Sequence, residues 1–90
     1  MRRVRVVVTG DVQKVGFRSW TKHKADHFGV KGWVKNNVDG SVEAVFEGMD
    51  STIDEILESC RRGPPGSYVK DVNVKEETMK DKFPDFRIVV

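Results

Sequence analysis

Apolar and polar residues change rhythm along the chain, and each change marks a boundary. Val4, Val6 and Val8 alternate with Arg5, Val7 and Thr9. This two-residue period of β-branched side chains predicts a strand buried on at least one face, ended by Gly10. The period then lengthens. Phe17, Trp20, Thr21, Ala25 and Phe28 recur at helical spacing, and Gly29 supplies the left-handed position on which helices commonly close. A helix over residues 17–28 is predicted. Lys31 to Asn37 reads as a second strand. Val42, Ala44 and Phe46, alternating with Glu43, Val45 and Glu47, read as a third. Between them, Asp39-Gly40 in Val38-Asp39-Gly40 is a strong hairpin signal, which makes these strands antiparallel neighbours.

Gly48 stops the third strand. Asp50 or Ser51 can cap a second helix, with Asp54 and Glu55 as acids in its first turn. Ile53, Ile56, Leu57 and Cys60 form its apolar stripe. Arg61 and Arg62 suit its carboxyl end, and Gly63-Pro64-Pro65-Gly66 forbids continuation. Tyr68, Lys70, Val72 and Val74 give a fourth strand a partly apolar face. After a polar loop with Pro84, Phe86, Ile88 and Val90 suggest a short terminal strand. The order β-α-β-β-α-β predicts one α+β domain over residues 1–90. Its architecture is the ferredoxin-like sandwich: an antiparallel sheet with two helices on one face and an extra short strand at the carboxyl end. That fold hosts RNA binders, regulatory domains and enzymes alike, so function has to be read from a site.

Charge narrows the choice. Sixteen basic and fourteen acidic residues leave a net charge of +2, too little for the field of a dedicated nucleic-acid binder. The basic residues are uneven, however. Lys14, Arg18, Lys22, Lys24, Lys31 and Lys35 precede most of the acids, as a solvated face or as a positive mouth for a small anion. Cys60 is the only cysteine, so no intrachain disulfide is possible; within an apolar stripe it reads as a small core residue rather than a nucleophile. The apolar run in MRRVRVVVTG is too short for a signal peptide, and no stretch approaches the roughly 20 residues of a membrane span. A cytoplasmic monomer is expected. His23 and His27 share a helix face but lack a third ligand, so they read as surface residues and no metal is expected. Phe17 and Trp20 beside basic residues could stack RNA bases, but Val6, Val8, Val42 and Ala44 leave the central strands without the aromatics of an RNA-recognition sheet.

The candidate chemistry lies between the first strand and the first helix, in Gly10-Asp11-Val12-Gln13-Lys14-Val15-Gly16-Phe17-Arg18. The first amides of a helix lack intrahelical acceptors, and the helix dipole favours an anion there. Glycines at both ends let consecutive N–H groups turn inward as an anion nest. Arg18 adds a planar fork of donors suited to two phosphate oxygens at once. Read from its residues alone, the segment also fits a plain strand-to-helix connection with a surface arginine.

This segment resembles the acylphosphatase signature Gly-x-Val-Gln-Gly-Val-Gly-Phe-Arg, matching at Gly10, Val12, Gln13, Val15, Gly16, Phe17 and Arg18. A second element of that family, Gly-x-x-Gly-Trp-Val-x-Asn, stands as Gly29-Val30-Lys31-Gly32-Trp33-Val34-Lys35-Asn36. The Asp39–Glu43 hairpin, Glu47-Gly48, Gly63-Pro64-Pro65 and Phe86-Arg87-Ile88 fit too, so the similarity spans essentially the whole chain. The resemblance implies hydrolysis of an acyl phosphate to a carboxylate and inorganic phosphate, without metal or cofactor. It implies that the loop Val12, Gln13, Lys14, Val15, Gly16, Phe17 and Arg18 binds the phosphoryl oxygens, chiefly through Arg18 and main-chain amides, and that Asn36 orients the attacking water. Gln13 reads as a brace for the loop and Trp33 as packing. Lys14 stands where the family has glycine: a left-handed backbone there would cost on the order of 1 kcal/mol, against which a nearby cation attracts the anion. Asp11 occupies a position that is often basic in the family and would oppose an anion slightly. Two other readings are a non-catalytic phosphate- or nucleotide-binding regulatory domain and an RNA-binding module.

Overall fold

A computed structural model describes all of residues 1–90. Seven elements follow in order: β1 (Arg2–Asp11), α1 (Phe17–Phe28), β2 (Lys31–Asn36), β3 (Val42–Gly48), α2 (Asp50–Arg62), β4 (Tyr68–Glu76) and β5 (Phe86–Ile88). The strands form one sheet in the order β4-β1-β3-β2-β5. Val4, Val6 and Val8 turn the same way as Val42, Ala44 and Phe46 and meet Ala25 of α1 and Ile53, Ile56 and Leu57 of α2 in a single core. The two helices therefore cover one face, as the element order predicts. Gly29 closes α1 in the left-handed conformation at φ 71°, and the Val30 amide donates back to the Ala25 carbonyl at 2.8 Å.

Three expectations need correction. The four main strands β4-β1-β3-β2 pair antiparallel as expected, but the extra strand β5 pairs parallel with β2 and makes the five-stranded sheet mixed. Residues 77–85 carry the chain from the β4 edge to the opposite edge over the face away from the helices, and it re-enters beside β2 running the same way. Asp50 and Ser51 do not cap α2. Met49 is the capping residue, with extended backbone and no side-chain cap, and the Ile53 amide already donates to its carbonyl at 2.9 Å. Asp50 is thus the first helical residue, and it is the acid of the first turn.

The third correction concerns β4, whose inward face is Val69, Val72 and Val74, with Tyr68 and Lys70 outside. Thr9 pairs with Asp71 but Gly10 with Val69, so one extra residue on β4 breaks the alternation. Gly10 sits in this bulge at φ 127°, where a β-carbon would lie 2.2 Å from the Tyr68 carbonyl oxygen. The bulge keeps β1 paired through Asp11, one residue past the predicted end, before the chain leaves for the loop.

Candidate active site

The loop after β1 is pinned at both ends. Val12 is completely buried, and Phe17 is buried at the start of α1, where its ring meets Trp20 edge-on at 5.3 Å. Between these anchors the backbone turns through left-handed conformations at Lys14 (φ 66°) and Gly16 (φ 74°). Gly16 is the capping residue of α1 and offers no side chain, so no side-chain oxygen occupies the first amides of the helix. Lys14 is the one non-glycine residue with positive φ in the chain. The backbone condition under which lysine is costly there is met.

This path encloses a hollow of about 90 Å³ lined by Val12, Gln13, Lys14, Gly16, Phe17, Arg18, Ser19 and Asn36. Arg18, in the first turn of α1, and Asn36, at the end of β2, thus share one cavity although β3 separates β2 from β1, the strand that leads into the loop. Arg18 is half-buried and makes no ion pair, and no side-chain hydrogen bond within the chain uses its guanidinium. Asn36 is exposed at the end of β2. Val15 does not line the hollow; it packs toward the core. Ser19 also lines it, which the sequence pattern does not predict. The available signal was its place in the first turn of a helix that opens on glycine, beside Arg18.

Gln13 reaches out of the loop. Its carboxamide nitrogen donates to the carbonyls of Asn37 at 2.8 Å and Ser41 at 2.9 Å, the two ends of the turn between β2 and β3. That turn is itself closed by the Asn37 amide donating to the Ser41 carbonyl at 2.9 Å. Asp39 accepts from the Ser41 hydroxyl at 2.6 Å and from its amide at 2.9 Å. These two bonds hold the Asp39 carboxyl below the usual carboxylate range.

The remaining candidates stand apart from the hollow. Trp33 lies on the other face of the sheet, with Arg5 and Lys35 each 5.5 Å from its ring centre. Cys60 is buried in α2, and burial pushes its thiol up to about 12, so no thiolate is available there. His23 and His27 are exposed on α1, His27 edge-on to Phe28 at 5.2 Å. No helix is long and apolar enough to cross a membrane.

Fold and site together define a small α+β domain whose first strand-to-helix loop frames a polar hollow with an unpaired arginine. The acylphosphatase family model matches residues 4–88. An acylphosphatase of Rhizobium etli is 47% identical over 85 residues, covering 94% of this chain and 90% of that protein. One of Syntrophus aciditrophicus is 46% identical over 89 residues, covering 99% and 93%. The crystal structure of acylphosphatase from Bacillus subtilis superposes with a TM-score of 0.96 at 38% identity, covering 100% of both chains. The chain belongs to the acylphosphatase family.

Proposed function

We propose that this protein hydrolyses acyl phosphates to a carboxylate and inorganic phosphate, with the loop amides and Arg18 holding the phosphoryl group and Asn36 placing the water. The observation that carries the reading is the meeting of Arg18 and Asn36 in one small hollow at the start of α1. A guanidinium with no carboxylate of its own, beside helix amides with no side-chain cap, is ready to accept a dianion. At about 4 Å and the intermediate dielectric of a protein surface, each favourable charge contact is worth up to ~4 kcal/mol before desolvation. At about 90 Å³ the hollow is far smaller than the ~300–1,000 Å³ clefts that enclose whole ligands. It suits a phosphoryl group and leaves the acyl part at the mouth.

The chemistry asks for little more. The departing carboxylate is a stable anion, so its departure requires little general-acid help. Phosphoryl transfer with a loose transition state is catalysed mainly by positioning and by charge stabilisation. The Asn36 carboxamide can accept one hydrogen bond from a water and donate another, which orients it without removing its proton in advance. Water oxygen then bonds to phosphorus as the bond from phosphorus to the carboxylate oxygen breaks, and the water's protons leave with the phosphate and solvent. Both residues come from one chain, so a monomer suffices, and the reading needs no nucleic-acid or membrane partner.

The test is loss of benzoyl phosphate absorbance with wild type, Arg18→Ala and Asn36→Ala, with phosphate binding measured alongside. Arg18→Ala should lose both rate and phosphate affinity. Asn36→Ala should lose rate, on the order of a hundredfold, and still bind phosphate. A wild type that binds phosphate but releases no benzoate would overturn hydrolysis in favour of a regulatory binding domain. Salt-sensitive RNA binding without phosphate affinity would overturn both.

A further inference from the structure

Arg18 reaches the hollow from the first turn of α1 and Asn36 from the end of β2, while the loop that leads into α1 leaves β1, which β3 separates from β2 in the sheet. No backbone hydrogen bond outside the regular elements joins residues 12–16 to residues 36–41. One side chain crosses that gap. Gln13 spends both N–H bonds of its carboxamide on the carbonyls of Asn37 and Ser41, at 2.8 and 2.9 Å. Both acceptors are carbonyl oxygens, so the amide has only one orientation that makes these bonds. With its donors used, the Gln13 side chain has none left for a phosphate; only its main-chain amide can serve the loop.

The receiving end is stiff. Asn37 and Ser41 are held together through main chain at 2.9 Å and through side chains at 3.0 Å, and Asp39 pins Ser41 from within the turn. Asn37 directly follows Asn36. A fixed point on the turn is therefore one residue from the group that places the water, and the other end of the link is one residue from Lys14 in the hollow's wall. Both carbonyls would otherwise face the loop without a donor from it.

We propose that Gln13 is a positioning residue: its carboxamide is the strut that sets the spacing between the phosphate loop and Asn36, and so aligns the water with the phosphoryl group. This rests on the roles given above to Arg18 and Asn36. It predicts a rate effect transmitted through Asn36 rather than a loss of anion binding, since a misplacement of about 1 Å can cost on the order of a hundredfold in rate.

Gln13→Met keeps the length of the side chain and removes both donors. Gln13→Glu sets carboxylate oxygens against the two carbonyls. Each is measured for kcat and KM on benzoyl phosphate and for inhibition by inorganic phosphate, alone and in an Asn36→Ala background. In Gln13→Met, kcat should fall about tenfold to a hundredfold while the phosphate inhibition constant moves less than about threefold. In the Asn36→Ala background the same change should cost less than about twofold more, because the group it positions is gone. An equal cost in both backgrounds, or a parallel loss of phosphate binding, overturns the strut. An Asn36→Ala protein of undiminished kcat overturns the role of Asn36 and the purpose of the strut with it. Should both variants fail to fold, Gln13→Asn keeps the donors on a shorter arm; it should lose kcat with phosphate inhibition intact, and unchanged kcat there overturns the proposal.

Discussion

Two arginines show what this chain does with the same side chain in opposite settings. Arg3 leaves β1 on the face away from the helices and is 8% exposed. Glu47, its register partner on β3, receives its Nε at 3.0 Å, and a terminal nitrogen donates to the Asp81 carbonyl. The other Glu47 oxygen accepts the Phe83 amide at 3.3 Å, and the Phe83 ring lies 4.4 Å from the guanidinium carbon. Residues 77–85 close over the pair. Arg18 has no such company: neither carboxylate nor carbonyl of the chain takes up its fork. Arg62 is also without an ion pair, but it is exposed and lines no hollow. What distinguishes Arg18 is the combination of unused donors with a shaped cavity. Where the chain supplies the anion, an arginine is bound into the fold; on the function proposed above, Arg18 takes its anion from the substrate instead.

The largest way to sharpen this contrast is to break the buried pair. Arg3→Met should cost about 3–5 kcal/mol of stability, because it strands the Glu47 carboxylate in a dry site. The urea midpoint should fall accordingly, while kcat and KM of the molecules still folded stay at wild-type values. A kinetic defect at unchanged stability would show that the two arginines are not separable. Arg18→Lys reverses the pattern. It keeps the charge but not the planar fork, so kcat/KM should fall on the order of tenfold to a hundredfold with the urea midpoint nearly unmoved. A lysine as good as arginine would mean that two-point recognition is not used.

The smallest effect is the most informative about the loop. Lys14→Gly relieves a left-handed side chain and should raise stability by roughly 1 kcal/mol. It also removes an unpaired cation from the wall of the hollow. Inhibition by inorganic phosphate should therefore weaken a few-fold, and its dependence on ionic strength should flatten. Higher turnover together with stronger phosphate inhibition would show that the lysine distorts the nest rather than strengthening it.

The parts of the fold that could be read from the sequence are those with a local cause. The valine alternation of β1, the helical spacing closed by Gly29, and the Asp39-Gly40 turn all depend on neighbours within a few residues. The parts that could not are set across the chain. Which residues at the start of β4 turn inward depends on how residues 69–71 pair with Thr9 and Gly10, some sixty positions away: one extra residue puts Val69 inside in place of Tyr68 and Lys70, while Val72 and Val74 keep the predicted face. The parallel docking of β5 depends on the route of residues 77–85 over the sheet. The site divides the same way. The glycine-bounded loop and Arg18 carry a physical signal of their own, whereas the nearness of Asn36 came only from the resemblance, because periodicity does not tell which strands abut. Gln13 could be read as a brace, but not what it braces against. Ser19 is not legible as a site residue, because a lone hydroxyl in a first helical turn is ordinary.

The order of the strands also sets a timetable. β1 is the first strand of the chain and lies between β3 and β4, so its two partners come from the middle and the last quarter of the sequence. Most of its pairing closes loops of some forty to seventy residues, and chains dominated by such distant pairings fold slowly for their size. A growing chain therefore holds its valine-rich leading strand unpaired on one side until β4 is complete. The strand order therefore makes the pairing that completes the middle of the sheet wait on β4, the most distant of its partners.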